Sequence, residues 1–145
     1  MSRLLLLGIA LALVVGCHGK RPANIGVTEG LLAPCPSTPN CVSTQAGDEQ
    51  HKINPIPYSG AMTEARDRMT GIVKSMKRTR VVTSADNYIH AEFTSALWRF
   101  VDDVEFYFDD ENKLIHFRSA SRLGKSDLGV NRKRMNEIIR RYGGK

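Results

Sequence analysis

Alternation of apolar and polar side chains between residues 88 and 119 constrains the fold of this chain more than any other feature. Alternation with a period of two is typical of strands that bury one face. With the β-branched run 80–84 and the segment 114–119, it predicts four strands, joined by turns at 86–87 and 109–112. The apolar positions in the two clearest runs are Ile89, Ala91, Phe93, Val104, Phe106 and Phe108.

Two segments on either side of these strands have helical periodicity. In 61–77 and in 128–142, apolar residues recur at spacings of three and four, which is typical of amphipathic helices. Helices of this kind bury their apolar stripe against the apolar face of a sheet. We therefore expect an α+β fold with a four-stranded antiparallel meander, two amphipathic helices on one face, and an N-terminal coil over 31–57.

The N-terminus has the order of a bacterial lipoprotein signal. The apolar run from Leu4 to Val15 follows Arg3 and ends at Gly16-Cys17, and it is shorter than the ~20 residues that a spanning helix needs. We expect residues 1–16 to be removed and Cys17 to carry fatty-acyl chains such as palmitate. The alternatives are an ordinary signal peptide or an uncleaved anchor.

The mature chain is expected to hold a tether and one domain. Residues 17–30 are rich in Gly, Lys, Arg, Pro and Asn, without apolar periodicity, and this composition is typical of a tether. Residues 31–145 then have the length of a single domain.

The chain has three cysteines, and lipidation of Cys17 leaves Cys35 and Cys41 as a pair. Prolines and Asn40 between them favour a turn that lets two thiols meet, so we expect a disulfide that pins the N-terminal coil. A redox pair more typically has two intervening residues, and a zinc site needs more ligands. No metal and no cofactor are expected.

The charge balance favours an anionic partner. The formal charge of +6 falls to +5 when residues 1–16, whose only charged side chain is Arg3, are removed. Anionic lipid head groups at the anchor supply such a partner, and nucleic acid is not expected in the cell envelope. The residue after Cys17 is His18 rather than an aspartate, which favours the outer membrane, facing the periplasm, in a Gram-negative host.

The loop between the last strand and the last helix is the predicted anion site. It brings glycines, serines, arginines and a helix start together, and such a loop can bind a phosphate or carboxylate. The alternative is that Arg122 pairs with Asp127 and only fixes the turn. The candidate ligand residues are Arg118, Ser119, Ser121, Arg122, Ser126 and Arg132.

The polar face of the predicted meander provides a second candidate. Asp103 or Glu105 could act as a base beside His116. The alternative is an ordinary solvent-facing sheet surface, on which Glu105 and Arg118 form a cross-strand ion pair of ~0.2–1 kcal/mol.

Four segments in this order resemble the hallmarks of the domain of unknown function 1499 family. They are Cys35–Ser43, Asp102–Phe106, Arg118–Arg122 and Ser126–Arg132, and the resemblance extends over residues 32–142. The family occurs in bacterial envelope proteins and in some plastid proteins, so the resemblance implies such a location, and it implies no reaction.

These observations lead to three hypotheses. The first is a membrane-anchored envelope lipoprotein that binds an anionic lipid, a metabolite or a partner protein of unknown identity without catalysis. The second is a hydrolase or isomerase of unknown substrate that uses the acids and histidines of the sheet. The third is a structural or assembly scaffold.

Overall fold

The computed structural model describes residues 19–144, so the predicted signal peptide and Cys17 lie outside the described residues. Two helices and eight strands are present in this part of the chain. The helices are α1 (Met62–Ser75) and α2 (Val130–Tyr142), and the strands are β1 (Val27–Thr28), β2 (Leu31–Leu32), β3 (Cys41–Ser43), β4 (Ile56–Pro57), β5 (Thr79–Ala85), β6 (Tyr88–Thr94), β7 (Val101–Asp109) and β8 (Leu114–Ser121).

The main sheet is antiparallel and contains the predicted meander. Strands β5, β6, β7 and β8 are neighbours in that order, and β3 and β4 both pair with the free edge of β8. The sheet therefore has six strands rather than four, while β1 and β2 form a separate two-stranded sheet. The strands missed within the predicted tether and coil are two or three residues long, which is too short for alternation to be visible.

Both helices pack on one face of the main sheet, as predicted. Met69 of α1 and Met135 of α2 are fully buried in one core with Phe106 and Phe117 of the sheet. The alternation of β6, β7 and β8 places their apolar side chains on this face, and burial of those side chains is the main stabilising contribution to the fold.

The opposite face of the sheet is also covered, so the alternative given above for this face, an ordinary solvent-facing surface, is wrong. His90, Asp103 and Glu105 are 2%, 1% and 0% exposed. The N-terminal segment lies over them: the backbone N–H of Gly26 donates to Glu105 at 2.8 Å, and Arg21 pairs with Glu92 at 2.6 Å. Part of the segment predicted as a tether is thus attached to the sheet, because its N–H groups donate hydrogen bonds to carboxylates of the buried face.

The predicted disulfide between Cys35 and Cys41 is present, with an S–S distance of 2.01 Å. It joins the N-terminal segment to the first residue of β3. Among the residues that the structure describes, no helix has the length and apolar character needed to cross a bilayer.

Candidate functional site: an arginine cleft

A cleft of about 490 Å³ opens across the ends of β5, β6 and β7, on the face that the N-terminal segment covers. Five arginines and a single carboxylate contribute to its walls. We call it the arginine cleft, and its charged lining residues are Arg21, Arg78, Arg80, Arg99, Arg122 and Glu92.

Strand register brings most of these side chains together. Arg80 of β5 is the direct partner of Glu92 of β6, and Glu92 is the partner of Asp103 of β7. Asp103 in turn pairs with Ala120 of β8, and Arg122 lies two residues further along the same face. Since direct partners and alternate residues share a face, one row of the sheet carries both acids and two of the arginines.

Glu92 is the acceptor that three arginines share. Arg21 and Arg122 each donate to its Oε1 at 2.6 Å, and Arg80 donates to Oε2 at 2.8 Å. Burial raises the pKa of Glu92, but the hydrogen bonds from the three guanidinium groups outweigh it and lower the pKa to about 2. Glu92 is therefore an anion over the physiological pH range.

Asp103 lies beneath the cleft and accepts two hydrogen bonds from Arg122. Arg122 donates through Nε to Oδ2 at 2.7 Å and through Nη2 to Oδ1 at 2.8 Å, while His90 Nε2 lies 2.8 Å from Oδ1. Burial raises the pKa of Asp103, yet the contacts with Arg122 and His90 lower it overall. The hydrogen bonds to Asp103 raise the pKa of the Arg122 guanidinium, so both groups stay charged.

The arginine cleft has more positive than negative charge. Arg78 donates to the backbone carbonyl of Thr94 rather than to a carboxylate, and Arg99 forms no hydrogen bond or ion pair within residues 19–144. Five arginines against Glu92 and Asp103 leave a formal charge of +3. Guanidinium groups with free N–H donors bind phosphate and carboxylate oxygens in pairs, so the arrangement suits an anion.

The same network fits a cation poorly. His90, Glu92 and Asp103 offer ligand atoms that lie within 4.8 Å of one another. However, Arg122 donates to both oxygens of Asp103 and to Glu92. A metal ion at this point would have to displace a buried guanidinium and would be repelled by it.

The structure does not gather the six predicted anion-binding residues, and only Arg122 lines the arginine cleft. Arg118 is buried beside Glu105, with Nη1 at 3.6 Å from Oε2, which is the cross-strand pair expected from the sequence. Ser119 and Ser121 point to the helical face, where both contact Asn131.

Two further candidates are engaged with backbone groups. The hydroxyl of Ser126 accepts from the backbone N–H of Leu128, and Arg132 donates to the carbonyl oxygens of Gln50 and Lys52. The alternative pairing of Arg122 with Asp127 is not present, because Asp127 accepts the backbone N–H of Asn131 at 2.8 Å at the start of α2.

The three predicted catalytic residues lie on one face but in separate surroundings. Glu105 accepts the hydroxyl of Tyr88 at 2.7 Å and belongs to a network apart from Asp103. His116 lies 3.1 Å from the hydroxyl of Thr44. Burial lowers the pKa of His116, partly offset by the charge of Asp109. None of the three lines the arginine cleft.

Sequence reasoning missed four of the five arginines of the cleft. The spacing of Arg78 and Arg80 at the start of a β-branched run could have placed them on one strand face. Arg21 lay in the presumed tether, and Arg99 lies in the loop between β6 and β7, so neither had a local signal.

The family resemblance is confirmed by a match of residues 31–141 to the family model described as "Protein of unknown function (DUF1499)". The chain belongs to this family. Comparisons with curated proteins and with solved structures gave no match. In this DUF1499 protein, Arg78, Arg80, Arg99 and Arg122 lie within the matched region, whereas Arg21 precedes it.

Proposed function

We propose that this DUF1499 protein is a membrane-anchored envelope lipoprotein that binds an anionic ligand, without catalysis, in the arginine cleft. The observation that carries the proposal is the cleft itself, where five arginines face one carboxylate. Charged groups gathered around a concave surface are costly in the absence of a counter-charge, because they repel one another. A bound anion removes that cost.

The anchor is proposed at Cys17, and the outer membrane, facing the periplasm, is its proposed location. Two of the three cysteines form the disulfide, so Cys17 is the one left for lipid. The disulfide also fits an oxidising compartment. The mass of the protein extracted from membranes tests the anchor: a chain that begins at Cys17 and carries acyl groups supports it, and an unmodified cysteine contradicts it.

The ligand is proposed to carry phosphate or carboxylate oxygens, as in a lipid head group or a small metabolite. Arg78 and Arg99 have no carboxylate partner in the described structure, so they are the first donors available to it. Arg21 and Arg80 are 44% and 68% exposed in their side chains, and they can turn from Glu92 towards a ligand with little loss of packing.

Calorimetric titration of the full chain in detergent with inorganic pyrophosphate tests the ligand site. We expect binding that the double substitution Arg78→Ala/Arg99→Ala weakens by about tenfold or more, because two charge-assisted contacts are lost. The matched control is Lys74→Ala/Lys133→Ala, which removes two exposed cations from the helices. Equal binding by both double variants would mean that the arginine cleft is not the site.

A hydrolase or isomerase has less support than a binding protein. Asp103 and Glu105 are 1% and 0% exposed; both oxygens of Asp103 accept hydrogen bonds from Arg122, and Oε1 of Glu105 accepts one from Tyr88. A base needs access to the proton that it removes. An anion at the cleft, by contrast, meets donors that are already exposed.

A further inference from the structure

Large apolar side chains on the surface of this protein concentrate at one end. Of the seven that are exposed within residues 19–144, only Leu31 lies elsewhere. The other six lie in the β6–β7 loop, in the β8–α2 loop or at the first residue of α2. We call them the apolar tip. They are Leu97, Trp98, Phe100, Leu123, Leu128 and Val130.

The two segments of the apolar tip form one surface. Asp102 near the start of β7 pairs with Ser121 at the end of β8, so the segments before and after these residues lie at the same end of the sheet. Phe100, Leu123 and Val130 line a common cavity of about 160 Å³. These three apolar side chains are therefore contiguous, Leu97 and Trp98 precede Phe100 in the same loop, and a contiguous exposed patch marks an interaction surface.

The composition of the apolar tip is that of a protein segment at a lipid interface. Trp98 is 68% exposed and Leu97 is 77% exposed, and no other tryptophan occurs in the chain. Tryptophan is enriched where an apolar phase meets water, because its ring is apolar while its N–H needs a polar partner. Leucines beside it can enter the acyl region.

Positive charge borders the apolar tip. Arg99 lies between Trp98 and Phe100 in sequence, and it also lines the arginine cleft with Arg78. Lys125 is exposed in the following loop. Arginines and lysines beside an apolar patch are attracted by the negative surface potential of anionic lipid, so the charge pattern favours a bilayer over a neutral protein surface.

The chain also enters the described structure at this end. Gly19 has a φ of +61° and lies so close to the β8–α2 loop that a Cβ placed on it would be 3.0 Å from Cβ of Arg122 and 3.1 Å from Cγ of Leu123. Cys17 is two residues earlier, and two residues reach at most about 7 Å. A lipid on Cys17, which is part of the proposed function, would therefore leave the protein beside the apolar tip.

We propose that the apolar tip docks on an anionic bilayer surface, with Leu97, Trp98 and Phe100 in the interface. The inference rests on the proposed anchor for the location of the membrane, and on the exposed side chains for the face that meets it. Docking in this orientation brings the arginine cleft to the level of the lipid head groups. An anionic ligand can then enter the cleft from the membrane side.

Fluorescence of Trp98 tests this directly, since it is the only tryptophan. The full chain is reconstituted into vesicles of phosphatidylcholine and phosphatidylglycerol in equal amounts, with and without brominated acyl chains. We expect a blue-shifted emission that the brominated lipid quenches. The substitution Leu97→Ser/Phe100→Ser should reduce the quenching by about half or more. Leu31→Ser, which removes an exposed leucine from β2, should not change it.

The outcomes separate the two proposals. Protein that sediments with vesicles but shows a water-exposed, unquenched Trp98 overturns docking and leaves the anchor standing. Protein that does not sediment with vesicles overturns both the anchor and the docking. A blue-shifted emission that brominated lipid does not quench, and that grows with protein density, indicates contact between copies of the chain and overturns docking. Pyrophosphate titration of the same samples reports on the arginine cleft independently.

Discussion

Replacement of Asp103 by asparagine probes the centre of the buried charge network. Arg122 donates to both oxygens of this carboxylate, with Nε on Oδ2 and Nη2 on Oδ1. Asparagine has nearly the same shape but only one oxygen. Whichever way the amide turns, its NH₂ group faces an N–H of Arg122, so one charge-assisted hydrogen bond becomes a contact between two donors.

The cost follows from the absence of water at this point. The side chains of Asp103 and Arg122 are 1% and 7% exposed, so the part of the guanidinium that faces Asp103 is not hydrated when the carboxylate is lost. Removing one member of a buried ion pair costs about 3–5 kcal/mol. Glu92 remains as a second partner for Arg122, which places Asp103→Asn at the lower end, about 3 kcal/mol. That is a large part of the 5–15 kcal/mol typical of a domain's stability.

Urea unfolding followed by far-ultraviolet circular dichroism measures this effect. The matched control is Asp67→Asn, which removes a carboxylate that pairs with Arg66 on α1 and is 72% exposed. We expect the control to change the free energy of unfolding by less than about 1 kcal/mol. An Asp103→Asn protein as stable as the control would mean that the N-terminal segment does not keep water away from this face of the sheet.

Three further predictions concern stability and binding. Replacing both Cys35 and Cys41 by serine should lower the free energy of unfolding by about 2 kcal/mol, because the disulfide closes a short loop; equal midpoints in urea would contradict this. The pKa of Glu92 is lowered from 4.5 to about 2, so its contribution to stability is complete above pH 4.5 and is lost as the pH falls towards 2; Glu92→Gln should flatten the pH dependence of unfolding in that window. The same substitution should raise the affinity for pyrophosphate by about tenfold, because Arg21 and Arg80 are released and a repelling charge is removed; unchanged affinity in calorimetry would mean that these two arginines do not contact the ligand.

Alternation and helical spacing predicted the part of the fold that depends on apolar burial. Strands β5 to β8 and both helices were predicted within a few residues of their observed limits. Each buries a regular stripe of side chains, and regularity is what a single sequence makes visible.

The segment that covers the polar face of the sheet could not be predicted from such patterns. Polar alternation looks the same whether the polar face meets water or a segment that supplies its hydrogen bonds. Gly26 and Arg21 cover that face through a backbone N–H and a guanidinium, and neither leaves a periodic signal. The arginine cleft was missed for the same reason, since Arg21 and Arg99 join it only through the tertiary fold.

The N-terminal segment that lies over the sheet, with Arg21 and Gly26, imposes an order on folding. Arg21 lies 71 residues before Glu92, and Gly26 lies 79 residues before Glu105, so both are synthesised well before the strands that they contact. Contacts of such long sequence separation form late in folding. Strands β5 to β8 can therefore form the meander before Arg21 and Gly26 reach Glu92 and Glu105, and these buried carboxylates are shielded only in the last step of folding.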